Sequence, residues 1–196
     1  MATDDFTGTN GDLLRNRSGW GQTLADIDIN SNRINANNSS GGFSGAVYTG
    51  ADLTADHSSS LLTQVTGYRS IGPTTRATAS TGTCYFIRSR YDYNSTDLCE
   101  IAADGTISML DAGDLDSGSQ TWRLDSDGDQ HSVYLNGSTY GSIASPVTDG
   151  TLTTGNPGVG GVGTNGNTAN YGDDWEGLTL GGGGGPTGSP WYYYAH

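Results

Sequence analysis

The chain has no lysine: all eight of its basic residues are arginine. That excludes a Schiff-base amine, the phosphate-gripping lysine of nucleotide-binding loops and the kinase lysine. Glutamate is nearly missing as well, present only at Glu100 and Glu176, so nineteen of the twenty-one acids are aspartate. The resulting net charge of −13 repels phosphate backbones and anionic bilayers, so the expected partners include neither nucleic acid nor membrane. No apolar run approaches the ~20 residues of a membrane span. Met1 to Asp5 carry neither a basic start nor an apolar stretch, so no secretory leader is read there. Two cysteines, Cys84 and Cys99, allow one disulfide and no four-cysteine metal site. His57, His131 and His196 lack metal-ligand spacing, and no serine sits in a G-x-S-x-G elbow.

What the chain does have is turn chemistry. Glycine supplies 32 of 196 residues, about twice its average share. Together with Asp, Asn, Ser and Thr it punctuates short segments of strand-forming residues, which excludes a helical protein. Ile27 and Ile29 alternate with Asp26, Asp28 and Asn30. Phe43 to Tyr48, Ser60 to Gly67, Cys84 to Tyr91 and Leu98 to Ala103 read as further strands. Asp104-Gly105 and Asn136-Gly137 are strong hairpin signals. Gln120 to Asp125 and His131 to Leu135 flank Ser126-Asp127-Gly128-Asp129, and a last strand is expected over Trp175 to Leu180. About ten short strands at ~8–12-residue spacing predict an antiparallel two-sheet jelly-roll sandwich. Its core should bury Trp20, Ile27, Ile29, Leu124, Val133 and Leu135. The sandwich is expected over residues 1–180; residues 181–196 are a glycine-rich tether ending in Trp191, Tyr192, Tyr193 and Tyr194.

Several motifs carry a resemblance. Asp4 to Leu13 matches the opening D-x-F-x-x-x-x-G-x-L of concanavalin A-like, laminin-G-like β-sandwiches of bacterial and phage surface proteins, followed there by a tryptophan, here Trp20. Ile29 to Ile34 is similar to that family's I-x-x-N-R-I strand, and Arg123 to Gly137 to its R-L-x-x-x-G-x-x-x-x-V-Y-x-N-G hairpin. Asn156 to Gly160 and Asp173 to Gly177 resemble its closing strands. The resemblance implies a jelly roll used for glycan contact or as a structural virion module; the fold alone does not choose.

The carboxylates argue against catalysis. Glycosidases of this fold pair two Glu on one strand, E-x-D-x-x-E, about 5–5.5 Å apart when retaining. Here Asp174 and Glu176 share one expected strand face, but the second Glu is missing, so no enzyme is expected. Asp125 to Asp129 has its Gly fourth and no closing Glu, so it reads as a hairpin turn rather than an EF-hand loop. No cofactor is expected beyond a candidate structural calcium, with Asp4, Asp5, Asp173 and Asp174 as its ligands where the two ends of the core meet. Cys84 and Cys99, on two strands of one hairpin, are either a disulfide, the expectation for an extracellular setting, or two buried thiols. The leading expectation is a structural subunit that self-associates into a homo-oligomer or homopolymer, a filament or virion surface, with Trp191 to Tyr194 docking into a neighbouring copy. The alternative is a glycan-binding module in which Tyr91 and Tyr93, at a polar loop, stack on sugars.

Overall fold

The computed structural model describes residues 1–36, 42–50, 53–65, 70–90, 93–116, 118–163 and 170–180. Sixteen strands and one 3₁₀ turn (Leu14–Asn16) occur among them, and none of their helices is long and apolar enough to cross a membrane. In chain order the strands are β1 (Ala2–Asp4), β2 (Trp20–Gln22), β3 (Ile27–Ile29), β4 (Ile34–Ala36), β5 (Phe43–Tyr48), β6 (His57–Val65), β7 (Ser70–Ala77) and β8 (Cys84–Arg90). They continue with β9 (Ser95–Ile101), β10 (Ile107–Asp114), β11 (Gly118–Asp127), β12 (Gln130–Leu135), β13 (Ser138–Thr139), β14 (Val147–Thr148), β15 (Asn156–Val162) and β16 (Tyr171–Thr179).

Two antiparallel sheets form the sandwich. The nine-stranded sheet runs β13-β12-β11-β6-β16-β4-β3, with β1 on β16 and β14 on β12. The seven-stranded sheet runs β10-β9-β8-β7-β15-β5-β2. Among the described residues every strand pair is antiparallel, so the jelly-roll expectation holds.

Period-2 alternation decides which side chains meet between the sheets. One cluster joins Trp20, Ile27, Ile29, Ile34, Leu61, Val159 and Trp175; Trp175 lies 4.7 Å from Trp20 and 5.1 Å from Tyr48, ring centre to ring centre. A second joins Tyr85, Ile87 and Leu98 of the seven-stranded sheet to Trp122, Leu124 and Val133 of the other. Of the six residues expected in the core, five are buried and Leu135, near the β12–β13 turn, is half-buried. Strand β7 is a strand that the sequence pattern does not announce. All eight of its residues are buried, so no polar face alternates with an apolar one, and Gly72-Pro73 reads in sequence as a break.

Candidate functional site

Strands β8 and β9 form a hairpin whose inner positions, Tyr85, Ile87 and Leu98, join the core. The residues between them lie on the sheet's other face, Cys84, Phe86 and Arg88 on β8 and Asp97, Cys99 and Ile101 on β9, and all of these but Arg88 are fully buried there. Arg88 and Asp97 are directly paired across the ladder. Arg88 Nε and Nη2 donate to Asp97 Oδ2 at 3.2 and 2.7 Å, and Arg90 Nη1 lies 3.7 Å from the same oxygen. Asp97 is only 1% exposed, and its Oδ1 is buried with no hydrogen-bond partner. At the hairpin tip Asn94 takes the left-handed conformation (φ 50°), and Tyr93 stands 65% exposed with the Arg90 guanidinium 3.3 Å from its ring centre. Met109, opposite Cys99 on β10, is the other large exposed apolar side chain of this face.

Further along the same face the sheet is paved with glycine. A Cβ at Gly45 or Gly160 would meet the Phe43 ring at 2.8 or 2.6 Å, and Phe43 packs edge-on against Phe86 at 5.3 Å. The bare backbone lets the two rings lie against the sheet with Cys84 and Ile101 as a third apolar cluster.

The expected Cys84–Cys99 disulfide is not formed; both thiols are free and buried. Cys84 pairs with Ile101 and Cys99 with Phe86, so the two cysteines are diagonal rather than opposite on this face. Burial pushes the Cys99 thiol up to about 11 and Cys84 upward too, Cys99 adding to the latter, so neither is a nucleophile.

The four aspartates proposed for calcium do converge, because β1 pairs with β16. Asp4, Asp5 and Asp174 line a cleft of about 560 Å³ with Thr3, Arg17, Trp175 and Glu176. Oxygens of Asp4, Asp5 and Asp173 are engaged internally. Asp4 Oδ1 accepts from Phe6 N and Arg17 Nη2, both at 2.8 Å, and its Oδ2 from Trp20 Nε1 at 2.8 Å. Asp5 caps the Thr7 amide and hydroxyl, which hold its carboxyl below the usual range. Asp173 accepts from its neighbour's amide and lies 3.9 Å from Arg33. Among the described residues no group of three or more His, Cys, Asp or Glu side chains is placed to hold a metal ion. Asp174 and Glu176 both border the cleft, but a bulge between Asp173 and Glu176, with Asp174 at φ 46°, interrupts the alternation expected to align them. Burial pushes Glu176 upward, with Arg123 opposing. At Asp125 to Asp129 the hairpin reading holds: β11 and β12 pair out to Asp127 and Gln130, and Gly128 takes φ 57°.

Of the residues expected to contact glycans, Tyr93 is exposed at the hairpin tip, and Tyr91 lies outside the described residues. So do Trp191, Tyr192, Tyr193 and Tyr194, on which the assembly expectation rests. Arg88, Arg90 and Asp97 were not singled out in sequence. Their signal was there as register, two arginines on one phase of β8 with an aspartate on the same phase of β9, but it needs the pairing to be visible.

No family model matches the chain, and no curated protein matches it. Solved structures do. The carbohydrate-binding module CBM66 from Bacillus subtilis superposes with a TM-score of 0.60 at 11% identity, over 84% of this chain and 98% of that one. The exoplasmic/lumenal domain of VIP36, in its Ca²⁺/Man3GlcNAc-bound form, gives 0.54 at 11% identity over 90% of each chain. Bacillus licheniformis β-glucanase gives 0.53 at 11% identity over 91% and 97%. At such identities the likeness speaks to fold alone. The two facing antiparallel sheets and these superpositions agree: this chain has the concanavalin A-like jelly-roll β-sandwich fold.

Proposed function

We propose that the chain is a non-enzymatic glycan-binding module acting at an extracellular surface, and that it binds at the tip of the β8–β9 hairpin around Tyr93. The observation that carries this reading is the combination at Tyr93, Arg88 and Asp97. An exposed aromatic ring, fixed from one side by the Arg90 guanidinium, stands beside arginines that the buried Asp97 carboxylate holds in place. Sugars present an apolar ring face and a fan of hydroxyls, and an aromatic platform with a few convergent polar groups answers both. The fold adds support, since CBM66 is described as a carbohydrate-binding module and VIP36 was seen with a mannose-containing glycan. Catalysis lacks its machinery: Asp174 and Glu176 flank a bulge, and the only other Glu, Glu100, is on β9.

The test is a glycan array followed by titration of the best hit. Tyr93→Ala should weaken binding by about tenfold or more, the usual scale for an aromatic anchor. Thermal stability should stay within about 0.5 kcal/mol of the parent, because the side chain is exposed. An array without hits, or a Tyr93→Ala protein that binds as the parent does, overturns the assignment.

A further inference from the structure

At one end of the sandwich, residues 149–155 run from β14 to β15 without regular structure, tied down by buried polar side chains. Tyr85 Oη donates to Asp149 Oδ1 at 2.7 Å and accepts from Leu152 N at 3.1 Å. His131 Nε2 donates to the Asp149 carbonyl at 2.8 Å, while its Nδ1 accepts from Ser126 Oγ at 2.9 Å. Arg76 Nη1 donates to the Leu152 carbonyl at 2.6 Å, and the Arg76 backbone touches Gly155, where a Cβ would come within 2.4 Å of it. Among the described residues the segment's backbone is tied outside itself by a bond from Asp149 N to Asp129 O.

Arg76 is held in turn by His57. The Arg76 amide donates to His57 Nε2 at 3.0 Å, and His57 Nδ1 donates to the Thr54 carbonyl at 2.8 Å. These bonds fix the neutral ring and leave no place for a second proton. Arg76 itself is 2% exposed and adopts φ 51°, so neither its charge nor its backbone can move aside locally. Protonating His57 would set N–H against N–H and place a second cation beside the buried guanidinium.

We propose that residues 149–155 form a strap that acid releases, with His57 as the latch acting through Arg76. The groups facing the latch are Arg76 and Asp56, 3.5 Å apart; Asp129, Asp149 and His131 lie beyond, and Glu100 acts on Tyr85 and Asp149. Burial pushes His57 down to about 4, with Arg76 adding to it, and burial lowers His131 as well. A histidine held below its ordinary value stabilises the latched form at neutral pH. That contribution fades as pH falls through about 6.5, the value for an open strap, and is fully lost near 4. His131 acts in the same sense, but Ser126 can turn to accept its proton, because Thr75 Oγ stands 2.7 Å from Ser126 Oγ as an alternative partner. Burial of Asp149 is outweighed by hydrogen bonds from Thr151 and Tyr85 and by the nearby His131 charge, which hold its carboxyl below the usual range, so it yields only at still lower pH. Asp125, which burial pushes up to about 6, has the opposite sense, and it faces Arg123 rather than the strap.

Hydrogen exchange tests the idea. Between pH 7 and 4.5, corrected for intrinsic chemical rates, opening measured at the Thr151 and Leu152 amides should rise about tenfold or more. Opening at the Ile87 and Leu98 amides of the sheet should change far less. In His57→Gln, which presents an oxygen acceptor at every pH, the strap response should shrink to about twofold or less. Equal acceleration of strap and sheet, or an unchanged response in His57→Gln, overturns the proposal. Should that variant fail to fold, NMR titration of the His57 ring in the parent protein decides, because strap opening must track ring protonation; opening that precedes or ignores it overturns the latch.

Discussion

Trp175→Ala should be the most damaging single truncation of the core, costing about 3–5 kcal/mol and lowering the melting temperature by roughly 6–20 °C. Trp175 is 1% exposed and forms the meeting point of three rings, 4.7 Å from Trp20 and 5.1 Å from Tyr48. It also carries a polar link across the sandwich. Its Nε1 donates to Ser59 Oγ at 2.9 Å, and Ser59 Oγ donates to the Gly158 carbonyl on the opposite sheet at 2.7 Å. Truncation therefore opens a cavity between the sheets and removes the donor that orients Ser59. Trp175→Phe keeps most of the packing and loses the N–H, so it should recover more than half of the loss. Chemical denaturation of the three proteins checks the order. A Trp175→Ala protein within 1 kcal/mol of the parent would mean that the cavity closes by repacking.

The parts of this fold most legible in the sequence are those with a wetter and a drier face or a strong turn signal between strands. Ile27–Ile29 and the β11–β12 hairpin announce themselves through alternation and through turns such as Asp127-Gly128 and Asn136-Gly137. Strand β7 does not, because burial of all its residues erases the alternation, and its Pro73 is accommodated opposite Val159 where sequence rules expect a break. At the candidate site the exposed Tyr93 was visible as an aromatic residue in a polar loop. Arg88 and Asp97 were not, since nine positions separate them and only antiparallel register makes them neighbours. The surroundings of the candidate calcium ligands were hidden for a related reason. Sequence showed carboxylates brought together at the ends of the core, but not that Arg17, Trp20 and the Phe6 and Thr7 amides had already taken their oxygens. A buried latch such as His57–Arg76 leaves no local trace, because each residue is ordinary until its partner is known.

Gly72→Ala should disturb stability and ligand binding together, although it adds a single methyl group far from Tyr93 in sequence. Gly72 has no unusual φ, so strain in its own backbone is not the reason. The reason is proximity: a Cβ there would lie 2.1 Å from the carbonyl oxygen of Ile87 and 3.2 Å from its carbonyl carbon. Backbone cannot swing away as the end of a long side chain can, so β7 and β8 must separate. Between them the ladder pairs only Thr74 with Phe86 and Thr75 with Tyr85, which gives little to resist the wedge. The cost should be about 2–3 kcal/mol, the upper part of the range for overpacking. The displaced carbonyl belongs to the residue before Arg88, so the shift should move the guanidinium relative to Asp97 and weaken glycan binding by about tenfold at temperatures where the variant is still folded. Gly141→Ala is the control: nothing lies within 4 Å of its added Cβ, and stability and binding should both match the parent within about 0.5 kcal/mol. A Gly72→Ala protein that loses stability but binds at full strength would separate the β7–β8 contact from the site, and the ligand surface would then have to be sought away from Arg88.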